Sequence, residues 1–189
     1  ADIQTLFRYP RGANARMLDA MQAAGAVPAR AVGLFGHLLR VQDVWFGRVE
    51  GTAHADLVLW VDEDLAACAE RAGTSIARWQ SMLEERSGDA LDQPVAYTNS
   101  TGARFETPLR DRCRDVVNYG THHRAQIALV LREADGAPPP PDYIFFVRDP
   151  YRASNPTLRP IDSPLLCGSI RAAAPSTPSP RRPSAPRDP

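Results

Sequence analysis

Apolar side chains recur at intervals of three and four residues in four separate stretches of this 189-residue chain. That spacing is typical of amphipathic helices, because residues three and four positions apart share one helix face. The predicted helices cover about residues 2–25, 32–49, 62–86 and 108–134. Helices with one apolar face must bury that face against another element, so the sequence predicts an all-α domain.

Local signals mark the ends of these predicted helices. Asp62 is the expected N-cap of the third helix and Thr107 that of the fourth, with Pro108 at its first position. Gly136 follows the fourth helix, as a C-terminal stop. Pro10 lies inside the first helix and has no backbone N–H to donate, so we expect a kink or a break there.

The segment between the third and fourth helices has a different pattern. Val95, Tyr97 and Phe105 flank a polar turn at residues 99–102. This arrangement predicts a short β-hairpin or an extended crossover. The segment is too small to change the fold class.

The C-terminal part differs in composition from the rest. Most of the 18 prolines follow Ala137, and residues 171–189 consist mainly of Pro, Ser, Ala and Arg. Such a tail buries too little apolar surface to offset the entropy of ordering it. We therefore predict a folded domain over residues 1–149 and a disordered Pro-rich tail over residues 150–189.

Charge and composition narrow the function classes. Lys+Arg and Asp+Glu both number 22, so a nucleic-acid partner is not expected. There is no run of 18 apolar residues and no signal-peptide pattern, so no membrane association is expected. The cysteines, Cys68, Cys113 and Cys167, form no C-x-x-C pair. This pattern predicts reduced thiols and a cytoplasmic location, with Cys68 and Cys113 in the core.

Two adjacent histidines, His122 and His123, lie on the predicted fourth helix. Tyr119 and His123 are four residues apart and share a face, whereas His122 points about 100° away, toward the edge. Two ligands at this spacing can hold one metal ion, and His37 on the second helix is the candidate for a third. Imidazole suits Zn, Ni, Cu or Fe.

Several other side chains have simpler interpretations. His54 lies in a short connection and is expected at the surface. Arg124 and Gln126 either orient metal ligands from behind or cover the edge of the helices. The three tryptophans, Trp45, Trp60 and Trp79, are expected in the core.

These motifs, taken in order, resemble the DinB-like family of bacterial metal-binding four-helix bundles. The resemblance extends over residues 6–148. It rests on residues 13–18, on 36–39 followed by Trp45, and on 97–102, 118–126 and 142–146. The resemblance implies an up-down-down-up four-helix bundle with a long crossover between helices 3 and 4, and it makes a homodimer plausible.

The family typically holds a divalent ion, expected here to be Zn or Ni, with three histidines. The resemblance assigns two of these ligands to His37 and His123. The family pattern carries histidine at the remaining ligand position, which Tyr119 occupies here. Three outcomes are open: Tyr119 ligates as a phenolate, His122 replaces the missing imidazole, or the site is weak or lost.

Two classes of function follow. The first is a metal-dependent thiol transferase or hydrolase, in which the ion lowers the pKa of a low-molecular-weight thiol that attacks an electrophilic small molecule. In that case no cysteine of the chain is the nucleophile, and Asn118, Arg124 or Gln126 could orient ligands or substrate. The second is a non-catalytic stress-response bundle or dimerisation module with a degenerate metal site. The presence of Tyr119 favours this second class.

Overall fold

The computed structural model describes residues 2–52, 58–86, 88–99 and 101–154, with side chains described as far as Arg148. The described part is mostly helical and contains one small antiparallel sheet. The α-helices are α1 Ile3–Ala23, α2 Ala29–Val49, α3 Leu65–Glu85, α4 Leu109–Glu133 and α5 Tyr143–Ser154. A 3-10 turn at Gly88–Asp92 and strands β1 Pro94–Thr98 and β2 Arg104–Pro108 separate α3 from α4. The predicted helical class is confirmed.

The four long helices contact one another in a regular pattern. Helix α1 packs against α3 and α4, and α2 packs against the same two helices. Buried apolar residues from all four helices fill the space between them. Trp79 lies in one half of this core, where its ring centroid is 5.2 Å from Phe7 and 5.6 Å from Phe46. Its indole N–H donates to the Gln42 carbonyl at 3.1 Å, so the one polar atom of this buried ring is satisfied.

The predicted interruption at Pro10 does not break α1, which continues from Ile3 to Ala23. Phe7, Tyr9 and Ala13 on either side of Pro10 are buried against the other helices. Tertiary packing therefore offsets the hydrogen bond that proline cannot donate.

The segment before α4 forms a β-hairpin, which is one of the two alternatives that the sequence predicts. Strands β1 and β2 pair antiparallel, with Tyr97 opposite Phe105. The Asn99 carboxamide oxygen accepts from the backbone N–H groups of Thr101 at 3.0 Å and Ala103 at 2.9 Å. Gly102 adopts a φ of 82°, a conformation that glycine reaches without a steric cost.

Two predicted helix caps are wrong. Helix α3 begins two residues later than expected, and the Asp64 carboxylate rather than Asp62 accepts from the Ala67 N–H at 2.8 Å. Helix α4 has Pro108 as its N-cap residue and no side-chain cap. Thr107 pairs with Val95 in the sheet, so its backbone is committed to the strand, and its hydroxyl accepts from the Arg112 Nε instead.

The C-terminal end adds a helix that the periodicity does not predict. Helix α5, Tyr143–Ser154, extends past the predicted domain boundary at Asp149. Tyr143 and Phe146 pack their rings against Tyr9 of α1, with centroids 5.4 and 5.9 Å away. The remainder of the predicted tail lies outside the described residues, as do His54 and Cys167.

Cys68 and Cys113 are free and fully buried, as predicted. Among the helices in the described ranges, none has both the length and the apolar composition that a membrane crossing requires.

We expect Asp64→Ala to lower the free energy of unfolding by about 1 kcal/mol, because the first turn of α3 loses its cap. Urea denaturation followed by circular dichroism measures this change. Asp62→Ala is the matched control, since the exposed Asp62 lies outside the helix and should leave stability unchanged. An equal loss in both variants would show that net charge rather than capping is responsible.

Candidate metal centre

His37, on α2, is buried with only 5% of its surface exposed, and both ring nitrogens have partners. Its Nδ1 lies 3.2 Å from the Leu59 carbonyl oxygen, and its Nε2 lies 2.9 Å from the Tyr119 hydroxyl. Because a carbonyl oxygen can only accept, we assign the ring proton to Nδ1. The Nε2 lone pair therefore points at Tyr119, and the tyrosine hydroxyl donates to it.

His123, on α4, lies beside this pair and is also buried. Its ring centroid is 5.0 Å from that of His37 and 4.4 Å from that of Tyr119. The structure thus brings together all three residues that the sequence assigns to the site. The His123 Nδ1 is buried and has no hydrogen-bond partner within the described residues. A buried polar atom without a partner is costly, and a ligand at this nitrogen would remove that cost.

Both imidazoles are neutral near pH 7. Burial, with smaller contributions from the neighbouring rings of His37 and His122, lowers the pKa of His123 to about 4. Burial also lowers the pKa of His37. Neutral imidazole is the form that binds metal ions, so protons would not compete with a cation at neutral pH.

Tyr119 is in its protonated form at this pH. Burial raises the pKa of its phenol, and the nearby Asp115 carboxylate raises it further. Tyr119 therefore acts as a hydrogen-bond donor to His37 in the structure. To ligate as phenolate it would have to lose this proton to solvent, which a Lewis-acidic ion bound at the oxygen would favour by lowering the pKa of the phenol.

His122 and Gln126 lie next to His123 at the edge of α4. His122 is exposed, and its Nε2 lies 3.1 Å from the Gln126 side-chain nitrogen. Its ring centroid lies 5.2 Å from that of His123, but on the exposed edge of α4, which agrees with the predicted edge position.

Arg124 does not orient either histidine. Its guanidinium is fully buried, donates to Asn14 at 2.8 Å and Thr121 at 3.3 Å, and lies 4.9 Å from the Tyr9 ring centroid. Gly120 makes room for it, since a Cβ at that position would lie 2.9 Å from the Arg124 Nη1. The burial of Arg124 was not predicted, because arginine is rarely buried and nothing in the sequence marks it.

The segment after α2 covers His37 from the outside. The Trp60 ring stacks on the His37 ring, with centroids 3.9 Å apart and an angle of 10° between the planes. Trp60 is 59% exposed, so the prediction that it lies in the core is wrong. Trp79 is fully buried, as predicted, and Trp45 is half-buried. An exposed aromatic next to a candidate site could not be identified from periodicity, because Trp60 lies outside any helix.

An ion-pair network holds this covering segment in place. The Glu63 carboxylate accepts from Arg40 of α2 and, at 2.9 Å, from Arg71 of α3. Gly36 permits the close approach of this carboxylate, because a Cβ there would lie 3.1 Å from the Glu63 Oε2. Glu63 thereby fixes the segment that carries the Leu59 carbonyl and the Trp60 ring.

The residues of the site fit a divalent ion in part. Two neutral imidazoles, one of them with a buried nitrogen that no described residue contacts by a hydrogen bond, are suitable donors for Zn or Ni. The third position is a protonated phenol, which is a weaker donor than imidazole. In the ranges that the structure describes, no group of three or more His, Cys, Asp and Glu side chains is placed to hold a metal ion.

Comparison with known proteins identifies the family. The DinB family model matches residues 17–153. The chain belongs to the DinB family. It is 32% identical over 66 residues to "Protein DinB" of Bacillus subtilis (strain 168), and the match covers 35% of this chain and 37% of that protein. The chain therefore spans well under half the length of this relative in the alignment. No solved structure gives a significant match.

We expect the stability of the chelator-treated protein to fall as the pH decreases from about 6.5 to about 4. His123 has a lowered pKa in the folded state, so in this window the unfolded chain binds more protons than the folded one. The loss should be on the order of 2 kcal/mol. Urea denaturation at several pH values measures it for the wild type and for His123→Gln. His122→Gln should keep most of the pH dependence, because His122 contributes less to the shift than burial does. An equally steep pH dependence in His123→Gln would contradict the assignment.

We expect Glu63→Gln to release Trp60 from His37. Two arginines lose their shared carboxylate, so the free energy of unfolding should fall by about 2 kcal/mol. The Trp60 fluorescence emission should shift to the red, with Trp60→Phe identifying its contribution to the spectrum. The control is Glu70→Gln, because Glu70 is exposed on α3. An unchanged Trp60 emission in Glu63→Gln would show that Glu63 does not hold the segment.

Proposed function

We propose that this DinB-family chain binds a divalent cation, Zn or Ni, through His37 and His123, with Tyr119 in the third position. The observation that carries the proposal is the buried Nδ1 of His123, which has no partner within the described residues. The adjacent His37 ring supports it, because the Leu59 carbonyl fixes the tautomer that leaves Nε2 free of a proton. A backbone carbonyl behind a metal-binding histidine is a common means of orienting it.

The chemistry we propose is thiol transfer or a related hydrolysis. When bound, a divalent ion lowers the pKa of a cosubstrate thiol, which supplies a thiolate near neutral pH. The chain itself would orient its two imidazoles, keep them neutral by burial and cover one of them with Trp60. A low-molecular-weight thiol and an electrophilic small molecule are the proposed substrates.

We also propose that the four long helices form the up-down-down-up bundle of the family. Packing of α1 and α2 against both α3 and α4 supports this arrangement. Antiparallel α2 and α4 agree with it, since His37 lies near His123, while Trp45, later on α2, lies near Arg112, earlier on α4. Homodimer formation is proposed from family membership alone.

A non-catalytic module is the second candidate, and one specific contact favours it. The Tyr119 hydroxyl lies 2.9 Å from the His37 Nε2, which is the nitrogen that a metal ion would use. Without a cation, this hydrogen bond satisfies both groups and stabilises a closed arrangement of α2 and α4. In that case the site would be degenerate, and the protein would act through binding or dimerisation.

Elemental analysis of protein purified without a His-tag tests the proposal. We expect about one divalent ion per chain in the wild type, because two buried neutral imidazoles and one phenol face each other. His123→Ala should lose the ion. His122→Ala is the matched comparison and should retain the ion, since the His122 side chain is exposed and lies beside Gln126. Loss of the ion in His122→Ala would show that His122 replaces the missing imidazole.

Substitution of Tyr119 separates the two candidate functions. If the wild type contains no metal and Tyr119→His acquires it, the site is degenerate and the non-catalytic function is favoured. If the wild type contains metal and Tyr119→Phe loses it, Tyr119 is a ligand. The metal-loaded protein should then conjugate at least one thiol to an electrophile. Failure across a panel of thiols and electrophiles would contradict the transferase.

A further inference from the structure

Two arginine side chains converge on one pair of aromatic rings beside the hairpin. The Arg48 guanidinium carbon is 4.5 Å from the Trp45 ring centroid and 5.4 Å from that of Tyr97. The Arg112 guanidinium carbon is 4.8 and 4.5 Å from the same two centroids. The two rings contact each other edge to face at 5.0 Å. Two positive charges therefore share one small aromatic surface.

No carboxylate neutralises these two charges within the described residues. The acidic residues closest in sequence are engaged elsewhere. Glu50 pairs with Arg86 at 2.6 Å, and Asp111 pairs with Arg114 at 2.9 Å. The aromatic rings attract both cations, but they do not cancel the repulsion between them.

The surroundings make this repulsion more costly. Burial lowers the pKa of Arg48, and the charge of Arg112 lowers it further, while Tyr97 acts in the opposite direction. Arg112 also lies near the N-terminus of α4, where the helix dipole disfavours a positive charge. An anion at this position would interact favourably with both side chains and with the helix.

The arginines have donors left for such an anion. The Arg112 Nε donates to the Thr107 hydroxyl, which orients the group and leaves both terminal nitrogens for another partner. Arg48 makes no hydrogen bond to any residue that the structure describes. Both arginines are half-buried, and Phe105, which stacks on Tyr97, is 45% exposed. A small molecule can therefore reach them from solvent.

We propose that Arg48 and Arg112, with the Trp45 and Tyr97 rings beneath them, bind an oxoanion group of a small molecule, either a carboxylate or a phosphate. The planar guanidinium fork matches both groups, and paired arginines recognise them with directional, charge-assisted hydrogen bonds.

The site is separate from the candidate metal centre. Arg48 follows His37 by eleven residues on α2, and Arg112 precedes His123 by eleven residues on α4. Eleven residues are three helical turns, or about 16 Å along the helix axis. Both sites thus lie on the seam between the same two helices, and oxoanion binding does not depend on whether the histidines hold a metal ion.

The test titrates the chelator-treated full chain with inorganic phosphate and, separately, with succinate. Sodium chloride keeps the ionic strength constant, and calorimetry and tryptophan fluorescence follow binding. We expect saturable binding of at least one probe. Arg48→Gln and Arg112→Gln should each weaken it about tenfold, which is the effect of losing one charge-assisted contact. Arg132→Gln is the matched control and should leave it unchanged, because that arginine is exposed in the last turn of α4, far along the helix from Arg112.

The outcomes separate the ligand sources and decide the proposal. Saturable binding of phosphate alone indicates a phosphorylated ligand, and binding of succinate alone indicates a carboxylate. Circular dichroism checks folding, and where a glutamine variant unfolds, Arg48→Lys or Arg112→Lys replaces it, with a loss of about threefold expected from the missing fork. Absence of saturable binding for both probes, binding that survives both substitutions, or equal weakening in Arg132→Gln would overturn the proposal.

Discussion

The packing of α2 against α4 is the constraint on which the chemistry of this protein depends. The two helices run antiparallel, so the end of α2 lies beside the start of α4. His37 therefore faces Tyr119 and His123, while three turns away Arg48 and Arg112 share the same aromatic rings. Any change in the register of this helix pair would separate both groups of residues at once. Buried apolar side chains between the helices hold that register.

Each buried histidine ring has polar nitrogens that cost free energy unless a hydrogen bond or a ligand satisfies them. The nitrogens of His37 are satisfied by two hydrogen bonds, one to the Leu59 carbonyl and one from Tyr119. Those of His123 are satisfied only in part, because burial keeps its ring neutral but one nitrogen has no partner within the described residues. A cation would complete the coordination of that nitrogen, and it would have to displace the tyrosine proton or tolerate a phenol. The balance between these two states decides whether this chain binds the proposed metal ion.

The sequence predicts elements more securely than it predicts their ends and their neighbours. The four long helices follow from periodicity, because burial of one face requires it. The sequence predicts Asp62 as the N-cap of α3, but the N-cap is Asp64. The pattern cannot separate the two, because both are aspartates that precede the same apolar stripe. Thr107 was misassigned because strand pairing with Val95 competes with capping, and pairing is a non-local contact. Trp60 was wrongly placed in the core, because its partner is the ring of His37, 23 residues earlier in the chain.

The sequence by itself determined the helical class, the family and the local geometry of the histidine motif. Tyr119 and His123 share a face because they are four residues apart on one helix, and no other part of the chain is needed to establish this. Only the tertiary structure decided which groups from other parts of the chain surround Tyr119 and the two histidines. The Leu59 carbonyl, the Trp60 ring and the carboxylate of Glu63 come from an irregular segment whose path depends on ion pairs to two helices. The proximity of Arg48 and Arg112 likewise depends on tertiary packing. The two residues lie on different helices, and the spacing of residues along one helix does not determine which residues of another helix pack against it.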